Sequence, residues 1–161
     1  MNSREHFAHV FKDEKPRFLR VLSALPAEKI GYKPHPKSSS AGDIAWLLAT
    51  ELGDACELID RSEVNWTQKP APKTLAELVA AYEKNAAALE KRLPKLDEGT
   101  WAKKARFLAD GKVMWEAPLG EMLWGFLFDA IHHRGQLSAY LRPMGGKVPS
   151  IYGPSADDPG T

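Results

Sequence analysis

Cysteine is nearly absent from this 161-residue chain, in which Cys56 stands alone. One thiol excludes an internal disulfide framework and any cysteine-rich zinc motif, and it suits a reducing cytoplasm. Neither sign of charge predominates: 22 Lys and Arg face 21 Asp and Glu, a formal net charge of +1. Without a basic surplus or block, no DNA, RNA or anionic-membrane partner is indicated. No stretch approaches the ~20 apolar residues of a membrane span. The opening MNSREHFAHVFKDEKPRF scatters charges where a signal peptide needs an apolar run. Internal repeats and low-complexity tracts are also lacking. No serine sits in a nucleophile-elbow context, so triad hydrolysis has nothing to rest on. What remains is the expectation of one cytoplasmic domain over 1–161, its 43% hydrophobic residues enough for a sizeable core.

What is present is helical periodicity. Residues 3–25 carry Phe7, Val10, Phe11, Phe18, Val21, Leu22 and Leu25 at helical spacing, with Ser3 as a candidate N-cap and Pro16 expected to kink or divide the helix. After a Pro-rich loop, Ser40 caps a second helix over about 41–61, with Asp43 in its first turn. Thr74 and Glu77 form a capping box for a third helix ending before Pro94. KKARFLADGKVMWEAP changes period, and its two short apolar runs flank Asp110-Gly111, a hairpin signal. Pro118 opens a fourth helix over about 118–142. From about 143 the Pro- and Gly-rich tail is extended, with Ile151 and Tyr152 expected to pin it. The pattern predicts an all-α four-helix bundle with a small β-hairpin inserted before the last helix.

At 100° per residue, the second helix places Ile44, Leu47, Leu48, Leu52, Ala55 and Leu58 in one stripe, with Glu51 near its middle. The fourth helix places His133 inside its stripe, with Asp129 and Gln136 along one margin and His132 rotated outward. Two helices thus direct acidic and imidazole groups toward a shared core. Buried charges of this kind must be paired, hydrogen-bonded or metal-bound. Glu51, Asp129 and His133 would supply two oxygens and one nitrogen, suited to a divalent Zn, Ni, Fe or Mn ion with open positions. A metal-free network, with Glu51 and Asp129 sharing an imidazolium at His133, fits the same pattern.

PHPKSSSAGDIAWLLATE together with DAIHHRGQLSAYLRPMGGKVPSIYGPSAD resembles the DinB-like, YfiT-related bacterial proteins over nearly the whole chain. The resemblance implies a four-helix bundle, commonly a homodimer, and a divalent metal held by three histidines. It also implies metal-dependent transferases or isomerases that use small-molecule thiols. Residue by residue, His133 matches one of those histidines, Asp129 stands in place of a second and Leu47 in place of the third. Leucine binds no metal, and Glu51 lies one turn after it on the same face. Two functions follow. One is a metal-dependent enzyme, such as a thiol-dependent transferase, with His132 or Tyr140 assisting proton transfer. The other is a metal-free, degenerate binding or interaction protein.

The remaining polar and aromatic residues read more plainly. Cys56 is expected to be a buried structural thiol. His6 and His9, three apart on the first helix, form a surface metal clip or, as the better reading, an exposed, unrelated pair. Arg134 and Arg142 are solvated helix-end charges or steer an anionic substrate. Trp46, Trp115 and Trp124 belong to the core or a dimer face, and Gly135 marks close helix packing.

Overall fold

The computed structural model describes residues 1–160. Each long helix begins where the sequence supplies a cap. In α1 (Ser3–Ser23) the cap is Asn2, one residue before the expected Ser3: its side chain accepts from the Glu5 N–H at 2.8 Å, and the Glu5 carboxylate returns the bond to the Asn2 N–H. The helix runs through Pro16 undivided. In the turn that the proline disturbs, the Arg17 guanidinium donates to the Asp13 carbonyl at 3.1 Å. Ser40 and Asp43 box the start of α2 (Ala41–Arg61), and Thr74 and Glu77 that of α3 (Leu75–Glu90). A short helix, α4 (Glu98–Ala102), precedes the hairpin, and α5 (Leu119–Leu141) follows it.

The hairpin joins β2 (Lys104–Ala109) to β3 (Lys112–Pro118). Asp110 and Gly111 both take positive φ, 50° and 77°, as a tight hairpin turn with the right-handed strand twist requires. A third strand, β1 (Glu63–Trp66), lies parallel to β2, giving the order β1-β2-β3. The chain is therefore mostly helical with a three-stranded sheet, rather than all-α with a hairpin alone. Four residues are too few to show a period, which is why β1 reads as loop from the sequence.

Helices α1 and α2 each pack against both α3 and α5, and the sheet lies against α2 and α5. One core joins Phe7, Phe11 and Phe18 of α1 to Leu48 and Leu58 of α2, Leu78 and Tyr82 of α3, and Met122 and Leu137 of α5. Trp101 of α4 lies so close to α5 that a Cβ on Gly120 would meet its indole at 2.1 Å. Gly135, by contrast, has nothing within 4 Å of such an atom, so close packing does not explain it. The tail is strapped to α1 by Arg17 on the Ile151 carbonyl and Arg20 on the Ser150 carbonyl.

Arg134 is not a solvated charge. At 2% exposure it pairs with the equally buried Glu14, stacks over Phe18 at 4.7 Å and donates to the Tyr152 hydroxyl at 2.6 Å. Tyr152 thus pins the tail as expected. No helix among the described residues is long and apolar enough to cross a membrane.

Candidate functional site

Leu47, Glu51 and Asp54 recur at helical spacing on α2, so they share a face. Gly125, Phe126 and Asp129 do the same on α5. These faces, with Trp66 of β1, Phe107 of β2 and Trp115 of β3, enclose a cleft of 420 Å³. Gly125 gives the cleft its shape, because a Cβ there would stand 2.4 Å from the Trp115 indole. A second lobe of 270 Å³ shares Leu47, Asp54 and Trp66 and extends to Trp46 and Lys69. The Trp46 indole N–H donates to the Lys69 carbonyl at 3.1 Å, which holds that loop at the rim.

Burial is the first cause that pushes the Glu51 carboxyl up to about 10; hydrogen bonding to Asp129 and the negative charges of Asp129 and Asp54 add to it. Glu51 therefore keeps its proton at neutral pH and can donate it to the Asp129 carboxylate. Asp54 is pushed up to about 6 by burial, against the pull of the Lys69 ammonium. Glu51 also lines a narrow space of 20 Å³ together with Tyr82. Such a space holds about one water. Glu51 Oε2 and the Tyr82 hydroxyl are buried with no hydrogen-bond partner among the described residues.

From Asp129 the contacts run outward. His133 Nε2 lies 3.2 Å from Asp129 Oδ2, and its Nδ1 lies 3.0 Å from Gln136 Oε1. Gln136 Nε2 reaches His132 Nε2 at 2.9 Å. An imidazolium at His133 would donate from both nitrogens, to Asp129 and to Gln136. Among these groups Glu51, Asp129 and His133 can exchange a proton, whereas the Gln136 amide orients the two imidazoles by hydrogen bonding and does not relay one.

The sequence expectation placed Asp129 and His133 in the dry interior. The structure places them at the rim, with the Asp129 side chain 53% exposed and that of His133 21% exposed. The reason is the breadth of the apolar surface of α5, which meets α1, α2, α4 and the sheet, so its centre is poorly defined by periodicity. Glu51 and Asp129 do come together, and Asp129 with His133, but serially. Among the described residues no group of three His, Cys, Asp or Glu side chains converges as a metal site requires. Leu47 offers no donor, and Glu51 would have to lose its proton to ligate. The residues as arranged do not fit the resident divalent ion that the resemblance implies.

Sequence reasoning missed Asp54, Trp66, Phe107 and Phe126 as cleft walls. Only Asp54 carried a signal, three residues after Glu51 on one face. His6 and His9 are unrelated as expected: His6 packs on Trp124 at 5.5 Å, and His9 lies 3.6 Å from Asp13. Cys56 is buried, and that burial pushes its thiol up.

A mostly helical fold whose small sheet closes a carboxyl-lined cleft between two helices defines the structural class. Within it the chain belongs to the DinB family, whose model matches residues 1–160. It is similar to the uncharacterized protein YrdA of Bacillus subtilis (strain 168), 22% identical over 156 residues, covering 96% of this chain and 90% of that protein. A DinB-like protein from Bacillus cereus ATCC 10987 superposes with a TM-score of 0.77 at 21% identity, covering 92% of this chain and 97% of the other. The mycothiol-dependent maleylpyruvate isomerase gives a TM-score of 0.55 at 15% identity, over 89% of this chain and 61% of its own. At these identities the solved structures speak for the fold.

Proposed function

We propose that this DinB-family chain is a metal-free small-molecule-binding protein of the cytoplasm, its four long helices forming a four-helix bundle and its ligand seated in the α2–α5 cleft. One observation carries the reading: beside Leu47, the Glu51, Asp129 and His133 side chains meet in series, and among the described residues no three His, Cys, Asp or Glu side chains converge on one point. The ligand would enter past Trp46 and Trp66 into the space lined by Glu51, Asp54 and Asp129. Phe128, 62% exposed and stacked on Trp124 at 5.6 Å, offers the apolar face that a homodimer would cover.

Elemental analysis of protein purified without chelator or nickel resin tests this. The expected result is well below about one equivalent of metal per chain, and no rise in melting temperature with added Zn, Ni, Mn or Fe, since a ligand selective for the native state must stabilise it. A second reading is favoured by the unpartnered Glu51 Oε2. In it Glu51, Asp129 and His133 draw together on a divalent ion, and the chain is a thiol-dependent transferase. About one equivalent of metal, lost in Glu51→Ala or His133→Ala, would establish that reading over the first.

A further inference from the structure

We propose that the ligand of the α2–α5 cleft is an organic ammonium ion, its charge held by Asp54 and its apolar body by the aromatic walls. The inference rests on the metal-free reading above and names the class of molecule which that site takes.

The walls come first. Trp66, Phe107, Trp115 and Phe126 line the 420 Å³ space, and none of its lining residues is basic. A volume in the range of about 300–1,000 Å³ suits a small organic ligand. Aromatic faces attract cations through their quadrupoles, and tryptophan does so most strongly.

Asp54 is the second, independent observation. It is 8% exposed, lines both lobes of the cleft, and forms no hydrogen bond or ion pair among the described residues. Unlike Glu51 Oε2, its carboxylate oxygens are not sealed in the core, so they open to the space that Asp54 lines and are free to meet a ligand there. Lys69 lines only the neighbouring lobe and lies beyond ion-pair distance. The other two acids of the cleft are already engaged, Glu51 with Asp129 and Asp129 with His133. The chemistry left open is therefore one negative charge amid aromatic rings. An anion would be repelled by it, and a neutral molecule would leave it unpaired. A monocation with an apolar body answers both demands.

The test titrates three near-isosteric probes into the intact chain: phenethylammonium, phenethyl alcohol and hydrocinnamate. Calorimetry gives affinities, and tryptophan emission reports the cleft through Trp66 and Trp115. The expected order is ammonium first and alcohol at least about tenfold weaker, with hydrocinnamate showing no binding. Asp54→Asn, which keeps the shape and removes a buried charge, should reduce the ammonium-over-alcohol preference to about twofold or less. An alcohol or carboxylate that binds as well as the ammonium overturns the proposal, as does an Asp54→Asn protein that keeps the preference. Failure of all three probes to bind also overturns it. In that event a metal-free elemental analysis leaves the underlying reading standing, whereas one equivalent of metal removes both.

Discussion

Replacing Glu51 by Gln should stabilise the protein, by an amount set by pH. In the unfolded chain the carboxyl titrates near its ordinary 4.5; in the folded chain it holds its proton up to about 10. An acid whose folded value is raised contributes stability that is fully present below the unfolded value and is lost as pH climbs toward the folded one. Between pH 4.5 and neutrality the unfolded chain gives up a proton that the native chain retains. At 1.36 kcal/mol per pH unit this removes about 3 kcal/mol from the native state by pH 7. Glutamine is neutral in both states, and its amide can donate to Asp129 as the carboxylic O–H does. The variant should therefore match the parent near pH 4.5 and exceed it by about 3 kcal/mol at pH 7. Urea denaturation followed by tryptophan emission, at half-unit pH steps, measures the difference, in which the titrations common to both proteins cancel. A constant difference across pH, or a variant less stable at neutral pH, refutes the shared-proton account of Glu51 and Asp129.

Two further outcomes concern the scaffold. Arg134→Met takes from Glu14 its most buried partner and loses the Arg134 contacts with Tyr152 and Phe18, while Glu14 keeps the Arg17 ion pair at 2.8 Å and the Tyr152 hydroxyl at 3.0 Å. The variant should lose about 1–3 kcal/mol in urea, with Glu14→Gln in the same chain restoring part of that. Gly120→Ala drives a methyl into the Trp101 indole, 2.1 Å away. Over-packing of that kind should lower stability by about 1–3 kcal/mol by thermal unfolding, despite the better helix former.

The elements legible in the sequence were those whose signals are local. Ser40 as a cap with Asp43 in the first turn, and the Thr74–Glu77 capping box, marked two helix starts because each signal is complete within four residues. Asp110-Gly111 fixed the hairpin because both positions need positive φ. The parallel strand β1 gave no such signal, since its paired residues on β2 lie 43 positions further along the chain, Glu63 opposite Arg106. The same distinction separates the site residues. Glu51 stood out as an acid within an apolar stripe. Asp129 was assigned inward by a helix whose apolar residues serve several neighbours. Arg134 was read as solvated because its acid, Glu14, lies 120 residues away, and no periodicity on α5 announces a partner on α1.

The cleft can also be read as a problem in charge compensation. Three acids, Glu51, Asp54 and Asp129, line one space, and mutual repulsion there must be neutralised. A divalent ion would meet that need by drawing two carboxylates and an imidazole onto one point. Here the compensation is distributed: a proton on Glu51, the His133 imidazole beside Asp129, and Lys69 standing off from Asp54. Distributed partners do not need a third histidine, so leucine at position 47 is compatible with the acids it adjoins. It leaves Asp54 as the one acid without a contact of its own. A site that lacks a converging ligand set yet keeps a buried carboxylate behind aromatic walls is better suited to a single positive charge on an apolar molecule than to a bare metal ion.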